Sequence, residues 1–222
     1  IISIGERLSV AILDSVLKTK SIDVSVIEPE KFLCTNDVSL NALADLVLCK
    51  EKFQQEYSEL NQVSLMPGFI GTNNKGKVTT LGRNGSDYSA TVIGALAEVS
   101  RVTIWSDVAG VFSADPRKVD DACLLPLLRL DEASELARLA APVLHSRTLQ
   151  PVAQSALDLS LRCSYQPESG STRIERVLAS GRGAKIVTSL EEVYLIQLGF
   201  GRGQDFERAG RGIVQTVDQC GN

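Results

Sequence analysis

The chain has 222 residues, enough for one large domain or one and a half, and its 44% hydrophobic and 23% charged content mark a globular protein. A net charge of −4 and a pI near 5.2 argue against general nucleic-acid binding, which needs a basic face. No apolar run approaches the ~20 residues of a membrane span, so no membrane role is expected.

The amino terminus, Ile1 to Arg7, lacks Met and reads as neither a signal peptide nor a natural start, so a fragment is expected. The five cysteines, Cys34, Cys49, Cys123, Cys163 and Cys220, are scattered, odd in number and form no C-x-x-C. That predicts reduced thiols and a cytoplasmic protein. The single histidine, His145, has no partner at metal-ligand spacing. It is expected to pack or hydrogen-bond, and no protein metal site is expected. Any Mg²⁺ would come with a nucleotide.

Leu8, Ile12, Leu13, Val16 and Leu17 form a helical stripe beginning just after Gly5-Glu6-Arg7. Asp23 to Ile27 reads as a short buried strand ended by Pro29. Ser39 to Glu59 reads as a helix with a polar second half, and Val63 to Ile70 as a strand interrupted by Pro67-Gly68. Alternating helices and strands predict an α/β protein with a mainly parallel sheet and helices on both faces.

Gly71 to Lys77 fits the first seven places of a P-loop, but the eighth, which should be Ser or Thr, is Val78. The following residues look like a strand, whereas a P-loop leads into a helix. Asn73-Asn74-Lys75-Gly76 is better read as a hairpin turn. Asn84-Gly85-Ser86 matches a glycosylation acceptor, a coincidence in a chain with no secretory signal.

The stretch Thr79 to Ala90 begins like a strand, breaks at Gly82 and Gly85, and leads into a helix running to about Val99, capped by Ser86 or Asp87. A strand, a glycine turn and a helix start gather free N–H groups at one point, which attracts anions. Arg83 lies within the turn, where a guanidinium grips a carboxylate or phosphate with two parallel bonds. An ordinary loop with a structural Arg83–Asp87 pair would carry the same residues.

Arg101 to Trp105 is a buried strand running into Ser106-Asp107-Val108-Ala109-Gly110-Val111-Phe112-Ser113-Ala114-Asp115-Pro116-Arg117. Ligands of open α/β sheets sit at carboxyl ends of strands, and Asp107 lies at such an end. Further on, the sequence predicts a helix at Asp131–Ala140, a helix from Val143 to Leu157 through Pro151, and a strand at Leu159–Tyr165. Gln166–Arg173 reads as a loop, and Ile186–Thr188 and Val193–Leu198 as strands.

Over most of residues 61 to 198 the chain resembles the aspartokinases of the amino-acid kinase family. The resemblance rests on Gly68-Phe69-Ile70-Gly71, on Thr79 to Ala90, and on Ile104 to Arg117. Leu130 to Leu149 looks most like the kinase part of the bifunctional aspartokinase/homoserine dehydrogenases, particularly the methionine-linked form. The resemblance implies a three-layer α/β sandwich of the carbamate-kinase type with its N-terminal part missing. Residues 1-190 would be the C-terminal portion of a kinase domain and 191-222 the truncated start of an ACT-like regulatory domain.

The activity implied is transfer of the ATP γ-phosphoryl to the side-chain carboxylate of L-aspartate, with Mg²⁺ carried on the nucleotide. Such transfer needs two anions positioned together and their charge offset. By resemblance, Arg83 would hold the aspartate α-carboxylate, Glu6 would meet its ammonium, and Phe69 and Ser86 would complete that pocket. Asp87 would orient the catalytic groups, while Ser106, Asp107, Phe112 and Arg117 would line the nucleotide site. A homo-oligomer is implied for the full-length protein.

Three departures stand beside the resemblance. The family's amino-terminal Lys-Phe-Gly-Gly-Ser/Thr segment does not occur here, which implies little kinase activity from these residues alone. Pro142 stands where many members have a nucleotide-contacting lysine, and Phe112 where many have tyrosine. Two alternatives remain at this level: another amino-acid kinase with a different acceptor, and a non-catalytic regulatory or assembly module keeping the fold.

Overall fold

A computed structural model describes residues 2–57, 63–139, 144–176 and 185–188. The chain divides into two units, 1–188 and 189–222, of which the second lies outside the described residues. So do the expected strand Val193–Leu198, the ACT-like reading of 191–222 and the departure at Pro142.

The first helix, α1, spans Ile4–Thr19, and none of its residues is buried. Arg7 on this helix pairs with Glu30. Strand β1 (Ser25–Val26) is followed by a 3₁₀ turn at Pro29–Lys31 and by β2 (Cys34–Thr35), a strand with no sequence signal of its own. The helix expected over Ser39–Glu59 is shorter: α2 runs Leu46–Glu56. Asp45 is the reason, because its carboxylate accepts from the N–H groups of Val47 and Leu48, both at 3.1 Å, and so starts the helix there. The preceding segment is instead a loop organised by Asn36, whose Oδ1 accepts from the Leu43 N–H at 3.1 Å.

Strands β3 (Ser64–Leu65) and β4 (Ile70–Asn73) are separated at Pro67-Gly68 as the sequence predicts. Strand β5 (Val78–Thr80) returns antiparallel to β4, pairing Ile70 with Thr80. The turn between them is closed by Asn73, whose Oδ1 accepts from the N–H groups of Lys75 and Lys77 at 3.1 and 2.9 Å. This hairpin excludes the P-loop.

Helix α3 covers Gly85–Leu96 and connects through a tight turn, closed by the Val99 N–H on the Gly94 carbonyl, to β6 (Arg101–Ser106). The strand therefore runs back along the helix. Strand β7 (Leu127–Arg129), helices α4 (Leu130–Arg138) and α5 (Ser146–Gln154), and strands β8 (Asp158–Cys163) and β9 (Ser171–Glu175) follow. Pro151 is accommodated inside α5. Two expectations are corrected here. The segment Gln166–Arg173 is not all loop, since β9 begins at Ser171, and Ile186–Thr188 is not a strand, although the Val187 N–H reaches the Ser113 carbonyl at 2.8 Å.

Among the described residues the strands fall into three sheets: β1-β3, β2-β4-β5, and β6-β8-β9-β7. Pairs β1·β3, β2·β4, β6·β8 and β7·β9 are parallel, so the mainly parallel pairing expected from the alternation of elements is observed. One apolar core gathers Val102, Ile104, Leu128, Leu149, Leu159, Leu161 and Ile174 around the four-stranded sheet. A second gathers Phe32, Leu33, Phe53, Leu81, Tyr88 and Val92. Helix α3 serves both. Tyr88, Val92 and Leu96 enter the second core, while Ala90 and Ala95 pack on the first. Burying each large apolar side chain contributes about 1.5–3 kcal/mol. Helix α3 is thus held from two sides. Gly94 brings it so close to β6 that a Cβ there would overlap Val102.

Cys34, Cys49, Cys123 and Cys163 are free. Burial pushes the Cys49 thiol up to about 12, against an opposing hydrogen bond from the Cys34 backbone.

Candidate functional site

The turn between β5 and α3 gathers three of the four residues expected at the acceptor pocket. Gly82 takes φ 77, as the sequence predicts for a glycine break. Gly85 does not break the turn by a positive φ; Asn84 does, at φ 54, and it is Asn84 that precedes the helix, not Ser86 or Asp87. Asn tolerates this left-handed conformation better than most residues. Its amide donates to Asp87 Oδ2 at 3.3 Å.

Gly85 is required for a different reason. A Cβ on it would stand 2.5 Å from Phe69 Cδ2 and 3.2 Å from Leu81 Cβ. Likewise a Cβ on Gly68 would stand 3.2 Å from Ser86 Cα. Two glycines from two segments therefore let the Gly68-Phe69 loop lie against the start of α3. Phe69 itself holds φ 68, an outlier for an aromatic residue of the kind that clusters at functional sites. It is kept there by neighbours: its N–H donates to Ser89 Oγ at 2.8 Å, and its carbonyl accepts from the Leu81 N–H at 3.0 Å. Ser89, fully buried, donates in turn to the Gly85 carbonyl at 2.9 Å.

Phe69, Arg83 and Ser86 thus meet at the amino end of a helix, where unpaired N–H groups and the helix dipole favour an anion. Arg83 is exposed, and among the described residues it has no ion pair. The structural Arg83–Asp87 pair does not form, and Asp87 is half-buried beside Asn84 instead. Glu6 lies in the first turn of α1, half-buried, with no hydrogen bond to Phe69, Arg83 or Ser86 among the described residues.

Beside Arg83 stand two groups that sequence reasoning left out of the pocket. His145 precedes α5 and its Nδ1 accepts from the Arg147 N–H at 3.3 Å, the hydrogen-bonding role expected of it. Burial first, then the charges of Arg147 and Arg83, hold its imidazole below the usual value. Arg147 donates through Nη1 to Asn41 Oδ1 at 2.6 Å and to the Leu81 carbonyl at 3.3 Å. His145 follows Leu144 in a segment whose chemistry is visible only once α5 is folded against α3.

The second polar site lies at the carboxyl end of β6. Ser106 Oγ donates to Asp107 Oδ1 at 2.9 Å, and the Ser106 carbonyl accepts from Ser164 N–H and Oγ at 2.8 and 2.9 Å. The loop beyond is stiffened where Gly110 passes Thr172, whose Oγ1 accepts from the Val111 N–H at 2.9 Å. Phe112 forms an antiparallel bridge with Leu124. Arg117 pairs with Asp115 at 3.1 Å, and this hydrogen bond holds the Asp115 carboxyl below the usual range. The charge of Asp107 also raises the Arg117 guanidinium, after the larger effects of Asp115, so the two expected nucleotide residues sense each other. Because β6 runs back along α3, its carboxyl end and the amino end of α3 lie at the same end of this pair.

The Arg83 turn, with an unpaired guanidinium at a helix start, suits an anion, while the loop at the carboxyl end of β6 presents the Asp107 carboxylate and the Asp115–Arg117 pair. Among the described residues no three His, Cys, Asp or Glu side chains gather as a metal cage. No helix among them is long and apolar enough to cross a membrane.

The chain is similar to known proteins in sequence and in fold. Bifunctional aspartokinase/homoserine dehydrogenase 2 of Escherichia coli (strain K12) is 70% identical over 156 residues, which are 70% of this chain and 19% of that protein. Lysine-sensitive aspartokinase 3 of the same organism is 35% identical over 176 residues, 78% of this chain and 39% of that protein. Among solved structures, E. coli aspartokinase III in complex with aspartate and ADP matches with a TM-score of 0.74 at 34% identity, covering 78% of this chain and 40% of that one. Clostridium acetobutylicum aspartate kinase matches at 0.68 and 27% identity, over 78% of this chain and 38% of that one. The chain spans between 19% and 39% of the length of these two curated relatives. The sequence profile of the amino acid kinase family matches residues 1–162 of the 222, and the chain belongs to that family.

Proposed function

We propose that the chain carries the acceptor and nucleotide pockets of an aspartate kinase, which transfers the γ-phosphoryl of ATP to the side-chain carboxylate of L-aspartate. The product is 4-phospho-L-aspartate, the first intermediate of the aspartate-derived amino acids. The observation that carries this reading is the convergence of Phe69, Ser86 and an unpaired Arg83 at the start of α3.

In this reading Arg83 grips the α-carboxylate with its planar fork. Phe69 closes one wall, Ser86 offers its hydroxyl, and Glu6 meets the ammonium. Asp87, steadied by Asn84, orients the reacting groups. Ser106, Asp107, Phe112 and Arg117 hold the nucleotide. Mg²⁺ enters on the phosphates, where it offsets their charge. Residues 1-190 belong to the kinase domain and 191-222 begin an ACT-like domain. The full-length protein is a cytoplasmic homo-oligomer, and free thiols at Cys34, Cys49, Cys123 and Cys163 agree with that compartment.

The test is a coupled ADP-release assay with L-aspartate on the natural protein containing this chain, wild type against Arg83→Ala. Losing a charge-assisted pair costs roughly 1.5–3 kcal/mol, so the aspartate KM should rise about ten- to a hundredfold while the ATP KM stays near its value. An unchanged aspartate KM would refute the assignment of Arg83.

A further inference from the structure

We infer that Arg147 is a positioning residue for the acceptor pocket: it clasps the 36–45 loop to the Leu81-Gly82 turn and so fixes the backbone that carries Arg83. The inference rests on the proposed reading of that pocket. Arg147 Nη1 meets Asn41 Oδ1 at 2.6 Å, the Asn41 carbonyl at 3.4 Å and the Leu81 carbonyl at 3.3 Å. All of these acceptors are neutral. Among the described residues Arg147 has no ion pair, so its charge is not spent on a carboxylate.

The two segments it joins are already interleaved. The Thr80 N–H donates to the Ser39 carbonyl and the Ala42 N–H to the Thr80 carbonyl, each at 2.9 Å. Past Thr80 the ladder ends. Leu81 keeps one bond to Phe69, and Gly85 keeps one to Gly82. Between them lie Gly82 and Asn84, both at positive φ, with Arg83 in the middle. Such a turn has few bonds of its own. Gly82 presses directly against Asn41, since a Cβ there would stand 3.1 Å from Asn41 Cγ. The carboxamide held by Arg147 is therefore the surface on which the turn rests. Arg147 reaches it from the first turn of α5, which is buried through Thr148, Leu149 and Val152.

A long guanidinium gains specificity only when its backbone is fixed, because a misplacement of about 1 Å costs up to a hundredfold in rate. Arg147 therefore acts on the acceptor through Arg83, without touching it.

The experiment compares Arg147→Ala, Arg147→Lys, Asn41→Ala and the Asn41→Ala/Arg147→Ala pair in the natural protein containing this chain. Arg147→Ala is expected to raise the aspartate KM about tenfold, with the ATP KM changed less than about twofold. The pair should be no worse than Arg147→Ala, as for two groups sharing one interaction. Arg147→Lys keeps the charge but its ammonium ends one bond short of the Nη1 that makes these contacts, so it should remain several-fold weakened. Full recovery with Lys, or equal rises in both KM values, would overturn the clasp. Amide hydrogen exchange gives a readout free of turnover. Leu81 and Gly85 should exchange about tenfold faster in Arg147→Ala and Asn41→Ala, with Ile104 of β6 unchanged. Unchanged exchange at Leu81 and Gly85 would overturn the inference whatever the substrate. Failure of the wild type on aspartate would instead refute the proposed reaction, leaving exchange to decide on the clasp.

Discussion

Replacing Gly82 by alanine loads the acceptor turn with two separable costs. At φ 77 the residue lies in the left-handed region, which costs an L-residue about 1–2 kcal/mol. The added methyl would also overlap Asn41 Oδ1 and stand 3.1 Å from Asn41 Cγ and 3.3 Å from Asn41 Cα. The carboxamide is held by Arg147 and the Cα is backbone, so neither yields cheaply. Overpacking of this kind adds about 1–3 kcal/mol. The sum is about 2–5 kcal/mol, which a urea slope of about 2 kcal/mol per molar converts to a midpoint loss of about 1–2.5 M. Asn41→Gly in the Gly82→Ala background removes the overlap and keeps the dihedral cost, so, with the Asn41→Gly single variant as its reference, it should recover about half of the loss. Unfolding followed by far-ultraviolet circular dichroism measures both. A midpoint within about 0.3 M of wild type, or no recovery in the double variant, would refute the geometry of the turn.

Two further outcomes bear on the site. Asp107→Asn and Arg117→Ala should each raise the ATP KM about tenfold while sparing the aspartate KM, as lost charge-assisted bonds do; nucleotide bound over Asn73 and Asn74 in a crystal structure would overturn this. His145, held below its usual value by burial, Arg147 and Arg83, binds its proton less readily folded than unfolded. Stability therefore falls as pH drops below the unfolded value near 6.5, levels off under the folded value, and is insensitive to this group above 6.5. A titration of the imidazole by nuclear magnetic resonance, assigned with His145→Gln, should give a midpoint below 6.5. Aspartate should move it upward, since a carboxylate at Arg83 offsets one of the charges that depress it.

Much of the acceptor turn was legible because its residues are local. Gly82, Arg83 and the start of α3 follow one another in sequence, and the hairpin at Asn73–Lys77 announced itself by composition. Ser86 and Asp87 are good cap residues by type, but Asn84 precedes the helix because it accepts a left-handed backbone. The sequence predicts a backbone break at Gly85, but its constraint is the Phe69 ring, a contact no local pattern encodes. The same holds for β2, β7 and β9. These strands are two to five residues long, and partners distant in sequence make them strands. Arg147 was invisible as a site residue since its acceptors lie 106 and 66 positions away.

The close approach of Gly94 to Val102 sets a ruler between the Arg83 turn and the Asp107 loop. With α3 seated on β6 through that notch, the acceptor end of the helix has one permitted height relative to the loop at Asp107. A slip of a single helical turn would displace the Arg83 end by about 5.4 Å. In the proposed reaction the reacting atoms must approach to about 3–3.5 Å, so the missing methyl group of a buried glycine would calibrate the gap that the transferred group has to cross.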